Sequence, residues 1–334
     1  MSNGIKRRRS LGIALENAYG VYTGTTSTYA LALLDSNTEE VVNKAENNSM
    51  LGSTYEVNNS KIINKYSNIS YTVKVDENVL PLLFKQKFDI ASAVISGETT
   101  VYKHTLTYKN ANAVTSGQSY ALFIDDPDRD DMKLNGARFN NIDILGSQDG
   151  FVTLELSGMA QFPEKVAVTN AIDFTTREFV GRNIAYTQAT YTGTLATQKL
   201  TGMNIKHNFN LSDMSDNILL GDEEPSDMFT KQDRFEADCT ALYSDNDIRD
   251  AWANNTRQKS QIVIEDTDRY VTGSVTNINP SITIGYPVQT INSWTKEGGA
   301  DDIMKQSYTL LALDDPSVAT APITIEIING VASY

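Results

Sequence analysis

Few side chains in this sequence could do chemistry. Histidine, the usual general base near neutral pH, occurs twice, as His104 and His207. Both fall in segments that read as strands, where a ring packed against its neighbours is the simpler role. Counting leaves a Ser-His-Asp triad open, but no nucleophile-elbow motif supports one. The single cysteine, Cys239, rules out an intramolecular disulfide. It sits on the apolar side of an alternating segment, which suits a buried small hydrophobe. No closely spaced Cys/His set offers a zinc site, and no phosphate-binding loop or dinucleotide fingerprint is present. The expectation is no catalytic residue, no cofactor and no metal.

Two charged clusters need their own test. Asp125-Asp126-Pro127-Asp128-Arg129-Asp130-Asp131 has, counted from Asp126, the Asp-x-Asp-x-Asp opening of a calcium loop. The glycine needed at the sixth position is Asp131, and the glutamate needed at the twelfth is Ala137, so a solvated acidic turn is the better reading. Lys6-Arg7-Arg8-Arg9 could meet nucleic acid. In so acidic a chain, an acidic neighbouring subunit is the preferred partner.

The elements that must hold these residues are mostly strands. Ile69 to Val75 alternates apolar and polar residues at period two. So do Phe151–Ser157, Met203–Leu211, Phe235–Ala241 and Ile282–Tyr286. Two short helices interrupt them. One follows Asp76-Glu77-Asn78 and runs near Val79–Phe88, with Pro81 in its first turn and Leu80, Leu83 and Phe84 on one face. The other follows Ser244-Asp245-Asn246-Asp247 and presents Ile248, Ala251 and Trp252 at the same spacing. Strand, capped helix and strand thus occur twice. Ile69–Val75, the first helix and Thr105–Tyr108 form one set; Phe235–Ala241, the second helix and Ile262–Ile264 form the other. Short echoes add to this. Gln118-Ser119-Tyr120 leads to Asp125-Asp126-Pro127 as Gln306-Ser307-Tyr308 leads to Asp314-Asp315-Pro316, and Lys133–Gly136 resembles Lys199–Gly202. A duplicated unit is expected, with units 1–190 and 191–334 packed closely and a junction in the weakly periodic stretch Tyr186–Thr197.

Composition fits a globular, mainly β chain of 334 residues, 40% hydrophobic and 21% charged. The net charge is −14, with 42 acidic against 28 basic residues. Gripping nucleic acid takes Lys and Arg to displace counterions, so this balance makes a poor nucleic-acid binder. It suits a surface that nucleic acid slides past and equally one that keeps the protein dispersed, and charge alone does not choose between them. No apolar run has membrane-spanning length, and no signal-peptide segment follows the basic start, so synthesis in a cytoplasm and no membrane partner are expected.

The linear order of these segments resembles the tail tube proteins of long-tailed phages. Arg8–Gly20 resembles the family's opening, a basic start and a strand leading to a turn, here Glu16-Asn17-Ala18-Tyr19-Gly20. The polar stretch Asn47–Asn59 follows, and Ile69–Phe88 resembles the alternating strand that runs into a Leu-rich helix. Lys133–Ile144 with Gly150–Gly158 is similar to the central hairpin. Leu200–Leu211 and Arg234–Asn254 resemble a characteristic strand and a second strand–helix unit. Ile282–Asp315 resembles the late hairpin, turning at Gly298-Gly299-Ala300-Asp301-Asp302. Asp213–Asp233 departs from the pattern in being longer and more acidic.

The resemblance implies β-sandwich-like units with flanking helices whose sheets join edge to edge between subunits into a barrel. It implies a non-enzymatic virion protein that forms stacked rings of three duplicated chains, or of six, around a tape measure protein. The tube meets tail-tip and terminator proteins and passes DNA without specific binding. A non-contractile tail is favoured. Asp143, Thr153, Glu155, Glu236 and Asp238 lie on polar strand faces that could line the lumen or the outer surface. The main alternative is a β-sandwich module binding carbohydrate or receptor, which the 16 tyrosines would suit, although Tyr is a common strand residue. A two-carboxylate glycosidase is a further rival, but acidic residues are too abundant for any pair to stand out.

Overall fold

The computed structural model describes residues 9–48, 57–109, 117–170, 178–229, 231–298, 303–315 and 321–334. The chain is mainly β: among the described residues, 18 strands are linked into one large antiparallel sheet system, with a few short helices. No helix among the described residues is long and apolar enough to cross a membrane.

In chain order the first elements are β1 (Ser10–Leu15), β2 (Tyr29–Leu31), β3 (Leu33–Asn48), β4 (Val57–Lys74) and α1 (Leu80–Phe84). Then come β5 (Phe88–Val94), β6 (Tyr102–Tyr108), β7 (Tyr120–Asp125), β8 (Met132–Ser147), β9 (Thr153–Ala160) and β10 (Glu164–Lys165). The rest are β11 (Ile184–Thr190), β12 (Ala196–Gln198), β13 (Leu200–Asn208), β14 (Arg234–Leu242), α2 (Asp247–Ala253), β15 (Gln258–Glu265), β16 (Ser281–Glu297), β17 (Lys305–Ala312) and β18 (Thr324–Asn329).

Two strands organise everything. The first part of β8 pairs with β7, and its second part runs between β9 and β13. Likewise β16 pairs early with β15 and β18 and late with β17. Following hydrogen-bonded neighbours gives β3-β4-β9-β8-β7-β1-β2 in one half. The other half gives β13-β14-β17-β16-β15-β11-β12. The two orders match place for place, and three register shifts recur at matching places, while two further shifts in β3–β4, at Asn43/Lys44 and Asn47/Asn48, belong to the first half alone. The β3–β4 register shifts between Leu33 and Asp35, and β13–β14 between Leu200 and Gly202. The β8–β9 register shifts between Phe139 and Asn141, and β16–β17 between Ile291 and Ser293. The β7–β8 register shifts between Tyr120 and Leu122, and β15–β16 between Gln258 and Ser260. Bulges bend a strand and raise its twist, which is what a strand needs to leave one sheet and enter another.

This order corrects several sequence expectations. The partner of β15 in the matching series is β7, not the Thr105–Tyr108 segment in β6. The β5–β6 hairpin is extra to the first half, where it pairs with β18. Of the short echoes, Tyr120 lies on β7 and Tyr308 on β17, while Lys133–Gly136 lies on β8 and Lys199–Gly202 falls at β13; neither pair occupies matching places. Tyr186–Thr197 is not an unpaired junction, because β11 pairs with β12 and β15. Its inward residues are Tyr186 and Gln188, and the buried polar Gln188 masks the alternation. The first helix ends at Phe84, with Lys85 as its C-cap, and Phe88 begins β5. The alternation of Met203–Leu211 ends as strand at Asn208, and Asn210 takes a left-handed φ of 42°.

The core follows from the alternation. Tyr71, Val73, Ile142, Ile144, Leu154, Leu156, Ile205, Ala237, Cys239 and Leu310 project from one face of the sheet β3-β4-β9-β8-β13-β14-β17-β16 and are buried. Against it packs a second wall. Phe88 and Tyr108 of the β5–β6 hairpin meet Phe235 of β14, with ring centroids 6.4 and 5.2 Å apart. All five residues of α1 are buried, and Phe84 meets His207 of β13 edge-on at 5.0 Å.

Candidate functional site

The side chains singled out as reactive are placed as structural groups. His207 is fully buried between Phe84 and Phe235, and Nδ1 lies 3.2 Å from the Ile142 carbonyl oxygen. Burial lowers its pKa to about 4, so the ring is neutral. His104 is also buried, with Nδ1 2.8 Å from Ser92 Oγ and Nε2 2.9 Å from Asn329 Oδ1. Sequence spacing gave no hint of this Ser-His-Asn contact, because Asn329 is brought in by the β18–β6 pairing. Ser92 stands in the middle of a strand rather than on a strand-to-helix elbow, and the third group is a neutral amide. The trio seats a buried imidazole whose pKa is lowered by desolvation. Cys239 is buried, and burial raises its thiol pKa well above the ordinary range.

The acidic turn is held by the chain itself. Asp126 Oδ2 accepts from Arg9 Nε at 2.6 Å. Asp131 accepts from the backbone N–H of Asp126 and of Val168, both at 3.1 Å. Among the described residues, no group of three or more His, Cys, Asp or Glu has a geometry that could hold a metal ion. Of the basic quartet, Lys6–Arg8 lies outside the described residues, and Arg9 pairs with Asp126 of its own chain.

Glu16, in the N-terminal turn, shows why that turn has its residues. Its buried carboxylate accepts from Ser119 Oγ at 2.6 Å, Gly136 N at 2.8 Å and Gly20 N at 2.9 Å. Gly20 has φ 69°, a conformation that glycine adopts without strain. Beside it, buried Arg138 lies over the Tyr19 ring at 5.0 Å and pairs with Asp227 at 2.8 Å.

What the strands do assemble is a surface. Asp143, Thr153, Glu155, Glu236 and Asp238 all lie on one face of the sheet β3-β4-β9-β8-β13-β14-β17-β16, opposite the core. One rank crosses that face as Asp35, Thr72, Glu155, Asp143, Lys206 and Glu236 on neighbouring strands. Glu155 opposes Asp143 directly, a like-charge pair that is unfavourable by itself. Asp143 is half-buried, and desolvation first, then Glu155 and Asp238, raise its pKa to about 6 against the pull of Lys206. Lys206 Nζ pairs with Asp238 at 2.5 Å, and Thr309 Oγ1 donates to the same carboxylate at 2.7 Å. The face is polar and acidic on balance. One cleft, about 530 Å³ beside Gly146, Tyr186 and Met203, is lined by no histidine, cysteine or carboxylate, and another, about 560 Å³, is lined by Glu16, Asp89, Lys85, Lys109 and Arg138.

Both ends of this sheet are open. β3 pairs with β4 and with no other described strand. The second part of β16 has β17 on one side and no described strand on the other. Beyond the sheet, β3 and β4 continue as a hairpin arm whose Val42, Val57, Ile62 and Ile63 are exposed. In the other half the matching connection, Phe209–Asp233, folds back instead. Several of its acidic residues there meet cations from elsewhere in the chain. Lys65 pairs with Glu224 at 3.2 Å, Arg138 with Asp227, and Lys87 with Asp233 at 3.0 Å. Leu211, Met214 and Met228 form a small core under it with Tyr19, Tyr66 and Met159.

A β chain with two open sheet edges, one uncovered polar face and its reactive groups spent on packing is a structural, assembling protein. Long open edges are hazards unless a partner completes them. The chain belongs to the phage tail tube protein family, whose model matches residues 6–312. The comparison with curated proteins gives no match. Membership makes this a structural component of the virion tail that assembles with itself into a tube, and implies no enzymatic role.

Proposed function

We propose that three copies close the sheet β3-β4-β9-β8-β13-β14-β17-β16 into one ring, with the acidic face lining a channel for DNA. The observation that carries this is the matching order of the two halves. Each is a duplicated unit that contributes four strands to the sheet, β3-β4-β9-β8 and β13-β14-β17-β16. The second unit includes β11, so it begins before Ile184 rather than at 191. Within one chain the first unit already joins the second, through β8 and β13. Three chains would then make a pseudo-six-fold ring by repeating that joint.

Size supports three rather than six. At a strand spacing of about 4.8 Å and a tilt of about 40°, three times eight strands close at a diameter of roughly 50 Å. Six copies would double that. A duplex fits the smaller ring without leaving most of the bore empty. Asp143, Glu155, Glu236 and Asp238 would face the phosphates and repel them, so that DNA passes without binding. The arm at the β3–β4 end would reach the next ring, with Val42, Ile62 and Ile63 covered there. Head-to-tail contacts whose rotation closes make rings, and a second interface stacks them. A tape measure protein would occupy the lumen before DNA, and tail-tip and terminator proteins would cap the two ends. Assembly in the host cytoplasm, ejection of DNA through the bore and a siphovirus-type, non-contractile tail complete the reading.

Electron microscopy of the concentrated protein, with end-on views averaged for rotational symmetry, tests this. Hollow stacked rings of three-fold symmetry are expected. Six copies per ring would overturn the stoichiometry, and monomers that persist with tail-tip complexes added as seeds would overturn the tube.

A further inference from the structure

The joint between units inside one chain prescribes the joint between chains, residue by residue. In the first unit, β8 ends beside β13 of the second, with Ile144 opposite Ile205 and Ile142 opposite His207. The matching register shifts fix the equivalent residues. Gly202, first after the shift on β13, corresponds to Asp35 on β3, so Ile205 corresponds to Thr38 and His207 to Glu40. Asn141, first after the shift on β8, corresponds to Ser293 on β16, so Ile142 corresponds to Trp294 and Ile144 to Lys296. We infer that β3 of one copy pairs antiparallel with the second part of β16 of the next, with Thr38 opposite Lys296 and Glu40 opposite Trp294. This rests on the ring reading above.

Exposure agrees with the assignment. At the internal joint Ile142, Ile144 and Ile205 are fully buried. At the two open edges, Thr38 and Trp294 are half-buried and Glu40 and Lys296 exposed, as expected of a joint whose other side is a second molecule. The helices differ in the same sense. All of α1 is buried and its Phe84 is covered by His207, across the internal joint. No residue of α2 is buried, and Trp252, stacked on Trp294 at 6.1 Å, is 40% exposed. Glu40 of the neighbour, in the place of His207, would lie over Trp252. Its carboxylate would stand diagonal to Lys296, within reach of an opposite charge across antiparallel strands. These are the chain's two tryptophans, so assembly has an intrinsic reporter.

The test is a cysteine pair. Residues directly opposite on antiparallel strands lie about 4.5–5.5 Å apart at Cα, within disulfide range. Thr38→Cys with Lys296→Cys, oxidised after assembly, is expected to give covalent dimers and closed trimers on a non-reducing gel. Either single variant should give no ladder, since Cys239 is buried. Asp35→Cys with Lys296→Cys, about 10 Å out of register, should give none either. In the unmodified chain, tryptophan emission should shift to shorter wavelength on assembly, and Trp252→Phe should remove most of that shift. Rings in the microscope with no 38–296 cross-link and no emission change would overturn this joint and leave the ring reading standing. Absence of any ring from the unmodified chain would overturn both.

Discussion

The Lys87 ammonium and the Asp233 carboxylate lie 3.0 Å apart with almost no access to water, 2% and 4% exposed, and the Tyr108 hydroxyl donates to the same carboxylate. Lys87 follows α1, and Asp233 closes the folded-back loop just before β14. The pair therefore ties the first half of the chain to the second. Removing one partner leaves a buried charge without compensation. Asp233→Ala is expected to cost about 3–5 kcal/mol in urea denaturation. Lys165→Ala, which breaks the solvent-exposed pair with Asp130, should leave the denaturation midpoint almost unchanged. Equal costs for the two would refute the assignment of Lys87 and Asp233 as a buried tie.

His207 makes stability depend on acid. Its folded pKa of about 4 lies below the ordinary 6.5, so between those values the unfolded chain binds a proton that the folded chain refuses. The stabilising contribution is intact above pH 6.5 and is lost as pH falls towards 4, by up to ~3 kcal/mol. His207→Leu keeps an apolar filling among Phe84 and Phe235 and removes the titrating group. Melting temperatures from pH 7 to 4 should fall more steeply in the parent chain than in the variant. Parallel curves would show that the ring is not the acid-sensitive group.

Much of this was legible in the sequence, and the pattern of success is physical. Strands such as Phe235–Ala241 announced themselves because one face is apolar and the other polar at period two, which only a half-buried sheet requires. The same alternation put Asp143, Glu155, Glu236 and Asp238 on polar faces, and the structure places them on one. Tyr186–Gln188 escaped notice because buried Gln188 satisfies its side chain within the fold and breaks the pattern. The first helix looked longer than it is, because Phe88 continues its apolar spacing while belonging to the next strand. The duplication was sought in short echoes, whereas the matching orders lie in hydrogen-bond registers and bulges. Those need no shared side chains, as Phe139 and Ile291 show. The acidic stretch Asp213–Asp233 stood out as a departure from the pattern; its partners Lys65, Lys87 and Arg138 are far away in sequence and could not be paired with it by reading.

Asp143 works against His207. Its folded pKa of about 6 lies above the ordinary 3.8, so the folded chain holds a proton that the unfolded chain has released. This contribution is present below pH 3.8 and is lost as pH rises through 6. Half-exposure keeps it small. Asp143→Asn removes it together with the repulsion from Glu155, and should raise the melting temperature at pH 7 more than at pH 4. Lys206→Met, which takes away the compensating cation, should push the Asp143 pKa higher still. A carbon-detected NMR titration that finds Asp143 at or below its ordinary value would refute the crowding of carboxylates on this face.

The acidic face should be what lets DNA pass. Its carboxylates repel phosphate, and Lys206 is the one cation in the rank, too little to release the counterions condensed on DNA. Glu155 and Glu236 stand at the surface of the main sheet, on either side of Asp143 and Lys206 in one rank. Glu155→Lys with Glu236→Lys reverses two charges per chain without touching the core or either open edge. Tubes of this variant should form normally but retain DNA. Retention should weaken steeply with salt, because each phosphate neutralised adds about one unit to the slope of log affinity against log salt. Parent tubes should show no such retention at any salt. If the variant's tubes also fail to hold DNA at low ionic strength, this face is the outer wall, and the channel is lined by another surface.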